Sequence, residues 1–165
     1  MNKRIKKKKK KQHNKWLCER YPFLRPRHVW TGDIMWEVPK SDWRYITPYS
    51  WTELDNMPQG WRKAFGEQMC EEIREALIEA NYLYEYSITQ IKEKYGMLRW
   101  YDLGAPKKVH DIIAKYESLS QRTCICCGRP ATKISLGWIS PYCGKCANKM
   151  SNGKYKVQFE DIEEK

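Results

Sequence analysis

The stretch TCICCGRPATKISLGWISPYCGKC, residues 123–146, decides the fold because it holds five of the chain's seven cysteines. Cys124 and Cys127 form one C-x2-C pair, and Cys143 and Cys146 form a second pair after fifteen intervening residues. Each pair offers two sulfurs from one tight turn, and two such turns brought together make a tetrahedral site. The spacing is typical of four-thiolate zinc sites. We therefore predict one structural Zn²⁺ bound by these four cysteines.

Other readings of the cysteines fit the sequence less well. Disulfides would require an oxidising compartment, and the chain shows no targeting signal. An iron–sulfur cluster can use four thiolates, but two separated turns favour zinc. Four cysteine ligands leave no open position for water, so a catalytic zinc is not expected. We interpret Cys126 as a bystander, and Cys18 and Cys70 as ordinary buried or half-buried thiols.

The segment between the cysteine pairs predicts a hairpin with Gly137 near its turn. CGKCANKM, residues 143–150, can begin a helix, which would give a treble-clef-like finger. If that segment stayed irregular, the module would be a zinc ribbon. We favour the treble clef and keep the ribbon as the alternative.

Upstream of the cysteines, the hydrophobic periodicity predicts two helices and a hairpin. Apolar residues recur every four positions from Trp61 to Leu77, which predicts a helix over 58–81 with one buried face. Alternating residues on both sides of Gly96 predict a hairpin over 86–102. A third apolar face, opened by Pro106, predicts a helix over 106–120. The fold class is therefore α+β, with both helices packed on the hairpin and the finger docked on this unit, partly through Trp138.

These elements divide the chain into four parts. The predicted organisation is a disordered lysine-rich arm at 1–15, an aromatic-rich α+β domain at 16–120, a four-cysteine zinc finger at 121–150 and a tail at 151–165. The arm is predicted to be disordered because its charges repel one another and nothing in it can be buried. We expect the aromatic and proline-rich residues 16–60 to form irregular chain and short turns wrapped on the core.

The basic charge is concentrated at two places. The chain carries a net charge of +11, of which residues 1–15 contribute nine basic residues and no acid. Residues 118–159 contribute seven more basic residues and again no acid, whereas the middle of the chain is mildly acidic. Lysine and arginine clusters of this kind give sequence-independent, salt-sensitive contacts with phosphates. The candidate nucleic-acid-binding residues are Lys6, Lys7, Lys8, Lys9, Lys10, Lys11, Arg129, Lys133, Lys145 and Lys149.

Three stretches are similar to a widespread set of small, largely uncharacterised proteins of phages and bacterial mobile elements. They are DNMPQGWRKAFGEQMCEEI, QIKEKYGMLRWYD and YESLSQRTCICCGRPATKISLGWISPYCGKC. The resemblance covers roughly residues 20–147, and its most specific parts are IKEKYGMLRWY and the paired cysteine turns. It implies a phage or prophage origin and a zinc site on Cys124, Cys127, Cys143 and Cys146, but it implies no activity.

From the sequence we therefore predict that the chain is a non-enzymatic, phage-type zinc protein of the bacterial cytosol. We expect it to contact nucleic acid or a nucleoprotein complex, as a counter-defence or host-takeover factor, with no small-molecule substrate. No run of about 18 apolar residues occurs, so we expect no membrane span, and no membrane partner is expected either. The alternative is an inhibitor or adaptor of a host enzyme. Its candidate anchors are Trp30, Trp36, Trp43 and Trp51.

An enzyme is a third class, and it is not expected. Its best candidate residues are His28, His110 and the glutamates of the 58–81 helix, but no catalytic motif brings them together.

Overall fold

The structure is a computed structural model that describes residues 2–154 and 156–162; Met1, Tyr155 and residues 163–165 lie outside the described part. Its helices are α1 (Lys3–Arg20), α2 (Gln59–Trp61), α3 (Glu67–Glu79), α4 (Lys107–Ser120) and α5 (Gly144–Ser151). Its strands are β1 (Ile88–Lys94), β2 (Met97–Asp102), β3 (Lys133–Ser135), β4 (Pro141–Tyr142) and β5 (Phe159–Asp161). None of the described helices is both long and apolar enough to cross a lipid bilayer.

The strands form two small antiparallel sheets, so the predicted α+β class is confirmed. Strands β1 and β2 form a hairpin in which Ile91 faces Trp100 and Lys94 faces Met97. The second sheet has the order β4-β3-β5. The predicted helices and hairpin therefore exist at the expected places along the chain.

The hydrophobic core lies between α1, the α2–α3 run, the β1–β2 hairpin and α4. Its largest fully buried side chains include Trp61 and Tyr116, and the end of α1 contributes Leu17 and Cys18. Backbone contacts place α3 against α4, and α4 against β2. The predicted packing of the 106–120 helix on the hairpin is therefore present, whereas the backbone contacts place the 58–81 helix against α4.

The α2–α3 run contains a π turn at Arg62–Gly66, and the sequence spacing explains it. Residues four apart drift by about 40° per step around an ideal α-helix, so a strict four-residue stripe leaves a single face. A π turn winds less per residue and takes back part of this drift. All five stripe residues are consequently buried: Trp61, Phe65, Met69, Ile73 and Leu77.

Two neighbouring glutamates of α3 connect the outer helices to it. The Glu71 carboxylate accepts hydrogen bonds from the Arg20 guanidinium at 2.6 Å and from the Tyr21 hydroxyl at 2.9 Å. Glu72 accepts from the Lys115 ammonium at 2.6 Å and from the Tyr116 hydroxyl at 2.7 Å. The Glu71 carboxylate therefore joins α1 and the residue that follows it to α3, and the Glu72 carboxylate joins α4 to α3.

The predicted disorder of residues 1–15 is contradicted, since helix α1 begins at Lys3. Lysine has a good intrinsic helix propensity, and the Asn2 side chain caps the first turn by accepting from the Arg4 amide at 3.0 Å. The second half of α1 is anchored by the burial of Leu17 and Cys18. Anchoring of one end extends the helix into the lysine run, which charge repulsion alone would have left unfolded.

Of the segment 16–60 that was predicted to be irregular, residues 21–57 are irregular, whereas 16–20 belong to α1 and 59–60 to α2. Only part of the aromatic surface of residues 21–57 is buried. Tyr21 and Phe23 lie in the core, while Trp36 is half-buried against Tyr49. Two short 3₁₀ turns, Pro22–Leu24 and Glu53–Asn56, fix its ends.

The predicted finger, which ends at residue 150, is too short. Strand β5, inside the predicted tail, pairs antiparallel with β3, and Asp161 lies opposite Lys133. Two further backbone bonds extend this pairing, from the Leu136 amide to Gln158 and from the Ile162 amide to Thr132. We refer below to residues 121–162, as far as they are described, as the C-terminal module.

The C-terminal module docks on the α+β domain through its first cysteine turn. The Gly60 amide donates to the Ile125 carbonyl at 2.9 Å, and the Trp61 indole N–H donates to the Thr123 carbonyl at 2.8 Å. Docking was expected, but Trp138 is 79% exposed and meets the hairpin through a bond from its indole N–H to Glu93 at 3.3 Å rather than by burial. The buried tryptophan that joins the module to the domain is Trp61, which belongs to the domain, and the sequence pattern does not indicate this role.

Candidate metal centre

The first cysteine pair lies in a tight turn closed by backbone hydrogen bonds. The Gly128 amide donates to the Cys124 carbonyl at 2.9 Å, and the Cys124 amide donates to the Arg129 carbonyl at 2.7 Å. Gly128 has a φ of +80°, a conformation that glycine adopts without strain. This turn points the sulfurs of Cys124 and Cys127 to the same side.

The second pair lies at the junction between β4 and α5. Cys143 has extended backbone angles immediately before the helix, and Cys146 lies in its first turn. The Ala147 amide donates to the Cys143 carbonyl at 2.9 Å, so the helix itself fixes the separation of the two cysteines. A helix after the second pair, rather than irregular chain, is the outcome that the sequence favoured.

The four predicted ligands meet. The sulfurs of Cys124, Cys127, Cys143 and Cys146 all lie within 4.8 Å of one another. Cys127 Sγ and Cys143 Sγ are 3.6 Å apart, and all seven cysteines of the chain are free thiols. Cys124 and Cys143 are buried, while the other two are half-buried. One metal ion placed among the four sulfurs could contact all of them.

The charges around the sulfurs favour a cation at this place. Burial and the neighbouring thiols raise the pKa of Cys146, because four thiolates this close cannot all ionise without compensation. The Arg129 guanidinium supplies part of the compensating positive charge. Its Nε donates to Cys127 Sγ at 3.4 Å and its Nη2 donates to Cys143 Sγ at 3.3 Å. Arg129 holds the pKa of Cys127 well below its usual range. A bound metal ion would supply the rest.

The remaining cysteines lie outside this group. Cys126 is exposed, although it lies inside the first turn. Cys18 and Cys70 are buried, and burial raises the pKa of Cys18 to about 12. The interpretation of Cys18 and Cys70 as ordinary buried thiols is confirmed.

The predicted nucleic-acid residues of the C-terminal module divide into two groups. Lys145 and Lys149 are exposed one turn apart on α5. Lys133 is held by Asp161 at 2.6 Å, and Arg129 is held by the two sulfurs. Both of the latter therefore have partners inside the module.

The six consecutive lysines, Lys6–Lys11, lie on α1 rather than in a flexible arm. All are exposed, and Lys10 reaches the Asp55 carboxylate at 3.0 Å. A second contact, from His13 to Glu67 at 3.1 Å, fixes the helix further along. The lysines therefore have a defined position at the surface of the domain.

The residues considered for an enzyme are dispersed. His28 packs edge-on against Trp43, and His110 lies 3.4 Å from Asp102 at the end of the hairpin. Glu71 and Glu72 are committed to the contacts with α1 and α4 described above. Within residues 2–154 and 156–162, the cysteine group is the one cluster with metal-ligand geometry.

Comparison of the chain with protein-family models, with curated proteins and with solved structures finds no match.

Proposed function

We propose that the four cysteines hold one structural Zn²⁺ in a treble-clef finger and that the protein is a non-enzymatic binder of nucleic acid or of a nucleoprotein complex. The observation that carries the proposal is the lysine helix α1, a positioned row of positive charge without a single acid between residues 3 and 15.

The choice of zinc rests on ligand chemistry and size. Four thiolates suit Zn²⁺, and a regular tetrahedron with metal–sulfur bonds of about 2.3 Å has sulfur–sulfur edges of about 3.8 Å. The 3.6 Å between Cys127 and Cys143 is close to this edge. Since all four positions are filled by protein, the metal would stabilise the module and leave no site for a reacting water.

The treble-clef assignment rests on the order of the elements. A cysteine turn comes first, the β3–β4 hairpin follows, and the second cysteine pair lies where α5 begins. In a zinc ribbon the second pair would lie in another turn between strands.

The nucleic-acid proposal rests on how α1 presents its charges. Residues 3–13 are exposed and span about 16 Å of helix, a length comparable to several phosphate spacings. Successive residues are about 100° apart, so six consecutive lysines point in every direction from the axis. Contacts of this kind grip a backbone from any side and carry no base specificity.

The setting of a phage acting on its host, by counter-defence or host takeover, rests on the sequence resemblance alone. The basic helix and module would then grip a guide RNA, target DNA or an acidic protein face, because positive charge is the opposite of DNA mimicry.

The test compares two variants of equal net charge. Lys6, Lys7, Lys8 and Lys9 are changed to glutamine in the first variant. The matched control changes four exposed lysines elsewhere to glutamine: Lys40, Lys63, Lys107 and Lys108. Anisotropy titrations of a labelled 20-nucleotide duplex and single strand give the slope of log K against log salt for each protein.

We expect the α1 variant to lose about 0.9 of slope per lysine that contacts duplex phosphate, and about 0.7 per lysine on a single strand. The control should keep the wild-type slope. Equal slopes for the two variants, or no binding by the wild type, would refute the proposal.

A second candidate function, binding to a host protein, is favoured by one loop. Trp30 and Trp43 are 88% and 84% exposed, and Arg44 fixes the loop between them by binding Asp33 at 2.6 Å and Asp42 at 2.7 Å. Exposed tryptophans on a fixed loop make good interface anchors. Capture of one defined host protein that survives high salt and nuclease, and that is lost in a Trp30→Ser/Trp43→Ser variant, would support this function instead.

A further inference from the structure

Two tight turns, one from the β1–β2 hairpin and one from the C-terminal module, meet and form a cleft that the proposed function does not use. The cleft is about 310 Å³ and is lined by Glu93, Lys94, Tyr95, Gly137, Trp138 and Ile139. We call it the turn cleft. The turns touch at Gly96, where a methyl group would lie 3.2 Å from Ile139 Cγ2.

We propose that the turn cleft binds one unpaired nucleobase of a single-stranded nucleic acid, with Tyr95 and Trp138 as stacking surfaces and Glu93 as the acceptor for the base edge. The inference rests on the proposed binding of nucleic acid and names a second contact, one that reads bases instead of phosphates.

The aromatic surfaces are exposed where folding alone would not place them. Trp138 is 79% exposed and Tyr95 is 74% exposed, although both rings border the same cleft. An aromatic ring offers a flat face to any base, and such stacking supplies much of the affinity for single strands.

Tyr95 also occupies a strained backbone position. It has a φ of +53° and precedes Gly96, with a φ of +77°, in the two-residue turn of the hairpin. Turns of this type favour asparagine before glycine, whereas a bulky side chain at positive φ carries strain. Strain retained at an exposed residue points to a use for that residue outside the fold.

The turn of the C-terminal module that carries Trp138 is rigid, so the backbone position of Trp138 is fixed. The buried Ser135 hydroxyl donates to the Trp138 carbonyl at 2.6 Å and accepts from the Ser140 amide at 3.0 Å. Its contacts tie both sides of the turn together. A ring on such a turn loses little conformational freedom when it stacks on a ligand.

Glu93 gives the cleft a preference among bases. Oε1 accepts from the Gly96 amide at 2.6 Å, and Oε2 accepts from the Trp138 indole N–H at 3.3 Å, so the carboxylate is fixed. Each oxygen keeps a further lone pair, and an ionised carboxylate can only accept. Guanine is the base whose pairing edge carries two adjacent N–H donors, and it therefore matches this acceptor best.

The surrounding charge suits a single strand. The Lys94 ammonium lies over the Tyr95 ring, 5.5 Å from the ring centre, and places a positive charge next to the cleft. Between residues 121 and 154 the module carries basic residues and no acid, which favours a phosphate backbone leading away from the cleft.

The experiment measures the binding of 12-nucleotide single strands, DNA and RNA, each composed of T or U with or without one central guanine. Three variants alter the cleft: Tyr95→Asn, Trp138→Ala and Glu93→Gln. Trp30→Ala and Tyr84→Ala, which remove equally exposed rings elsewhere, are the controls. Tyr95→Asn restores the residue that the turn prefers, so we expect its melting temperature to rise while its binding falls.

We expect Tyr95→Asn and Trp138→Ala to bind roughly 5- to 100-fold more weakly than wild type, the effect of losing one stacked base, with an unchanged salt slope. Glu93→Gln should lose the preference for the strand that contains guanine. If the cleft variants bind like the Trp30 and Tyr84 controls, the cleft inference is overturned while salt-sensitive binding through α1 stands. If no protein binds any strand or duplex, both proposals are overturned. A wild type without preference for guanine overturns the role of Glu93.

Discussion

Substitution of Gly60 by alanine tests how closely the first cysteine turn and the α2 helix depend on each other. A Cβ atom at Gly60 would lie 2.2 Å from the Cys124 carbonyl oxygen and 2.5 Å from the Ile125 carbonyl carbon. Both are backbone atoms of the first cysteine turn, so they cannot rotate away as a flexible side chain would. Either α2 or the cysteine turn must move by about 1 Å to restore normal contact.

The cost follows from what that movement breaks. Overpacking costs about 1–3 kcal/mol. Separation of the two parts weakens the bonds from the Gly60 amide to Ile125 and from the Trp61 indole to Thr123, each contributing about 1 kcal/mol. The higher helix propensity of alanine offsets about 1 kcal/mol of this loss in the free energy of unfolding. We expect Gly60→Ala to lower the free energy of unfolding by about 2–4 kcal/mol.

The matched control is Gly66→Ala, six residues later in the same helical run. Its nearest neighbours are side-chain atoms, with Arg62 Cγ at 3.3 Å and Leu54 Cδ1 at 3.5 Å, so a methyl group meets nothing that cannot adjust. We expect this variant to be as stable as the wild type or slightly more stable. Urea unfolding monitored by tryptophan fluorescence gives both stabilities, provided that the m-value is unchanged.

Loss of the proposed zinc provides the second readout, because strain in the cysteine turn would lower the metal affinity as well as the stability. We expect Gly60→Ala to bind the proposed zinc about 10- to 100-fold more weakly than the wild type, at about 1.4 kcal/mol per factor of ten. Transfer of the metal to a chromophoric chelator measures this affinity. A Gly60→Ala protein with the stability and zinc affinity of the Gly66→Ala control would refute the described contact between the two parts.

Three further outcomes are expected. Arg129→Gln should weaken retention of the proposed zinc by about 10-fold, because the bonds from Arg129 to two sulfurs are lost, while the salt dependence of the proposed nucleic-acid binding, measured in parallel, stays unchanged. Glu53 is buried, and burial raises its pKa to about 7 from an ordinary 4.5. The native state therefore holds the proton that the unfolded chain has lost, and stability falls as pH rises from about 4.5 to 7. Glu53→Gln should be more stable than wild type by about 2–3 kcal/mol in urea titrations at pH 8, with a much smaller difference at pH 5. Metal removal by a chelator should speed proteolysis between residues 121 and 154 and leave the α3–α4 core protected, as peptide mapping would reveal.

The elements set by local periodicity could be predicted from the sequence. The stripe from Trp61 to Leu77, the alternation around Gly96 and the paired cysteines each place strong constraints on a short segment. The helical run from Gln59 to Glu79, the hairpin and the cysteine group therefore appear where the pattern puts them. The strict four-residue spacing of the stripe even contains the signal for the π turn, since an ideal α-helix cannot hold it on one face.

Features that depend on tertiary contacts could not be predicted in this way. The lysine run becomes helical because Leu17 and Cys18 anchor the far end of α1, and charge counting sees only the repulsion. Likewise, the sequence presents Arg129 and Lys133 as free cations, whereas the fold brings thiol sulfurs and Asp161 to them. Strand β5 was missed because three residues without a clear alternation carry no local signal.

Strand β5 also determines where the chain can be shortened without harm. A protein ended at residue 150, where the motif itself stops, would leave β3 with one unpaired backbone edge. It would also remove the Glu160 and Asp161 side chains, whose negative charge discourages edge-to-edge contact between molecules. Such a truncated protein would keep all four proposed metal ligands and yet be prone to aggregate, so a trimmed protein must retain β5 and the bond from the Ile162 amide to Thr132.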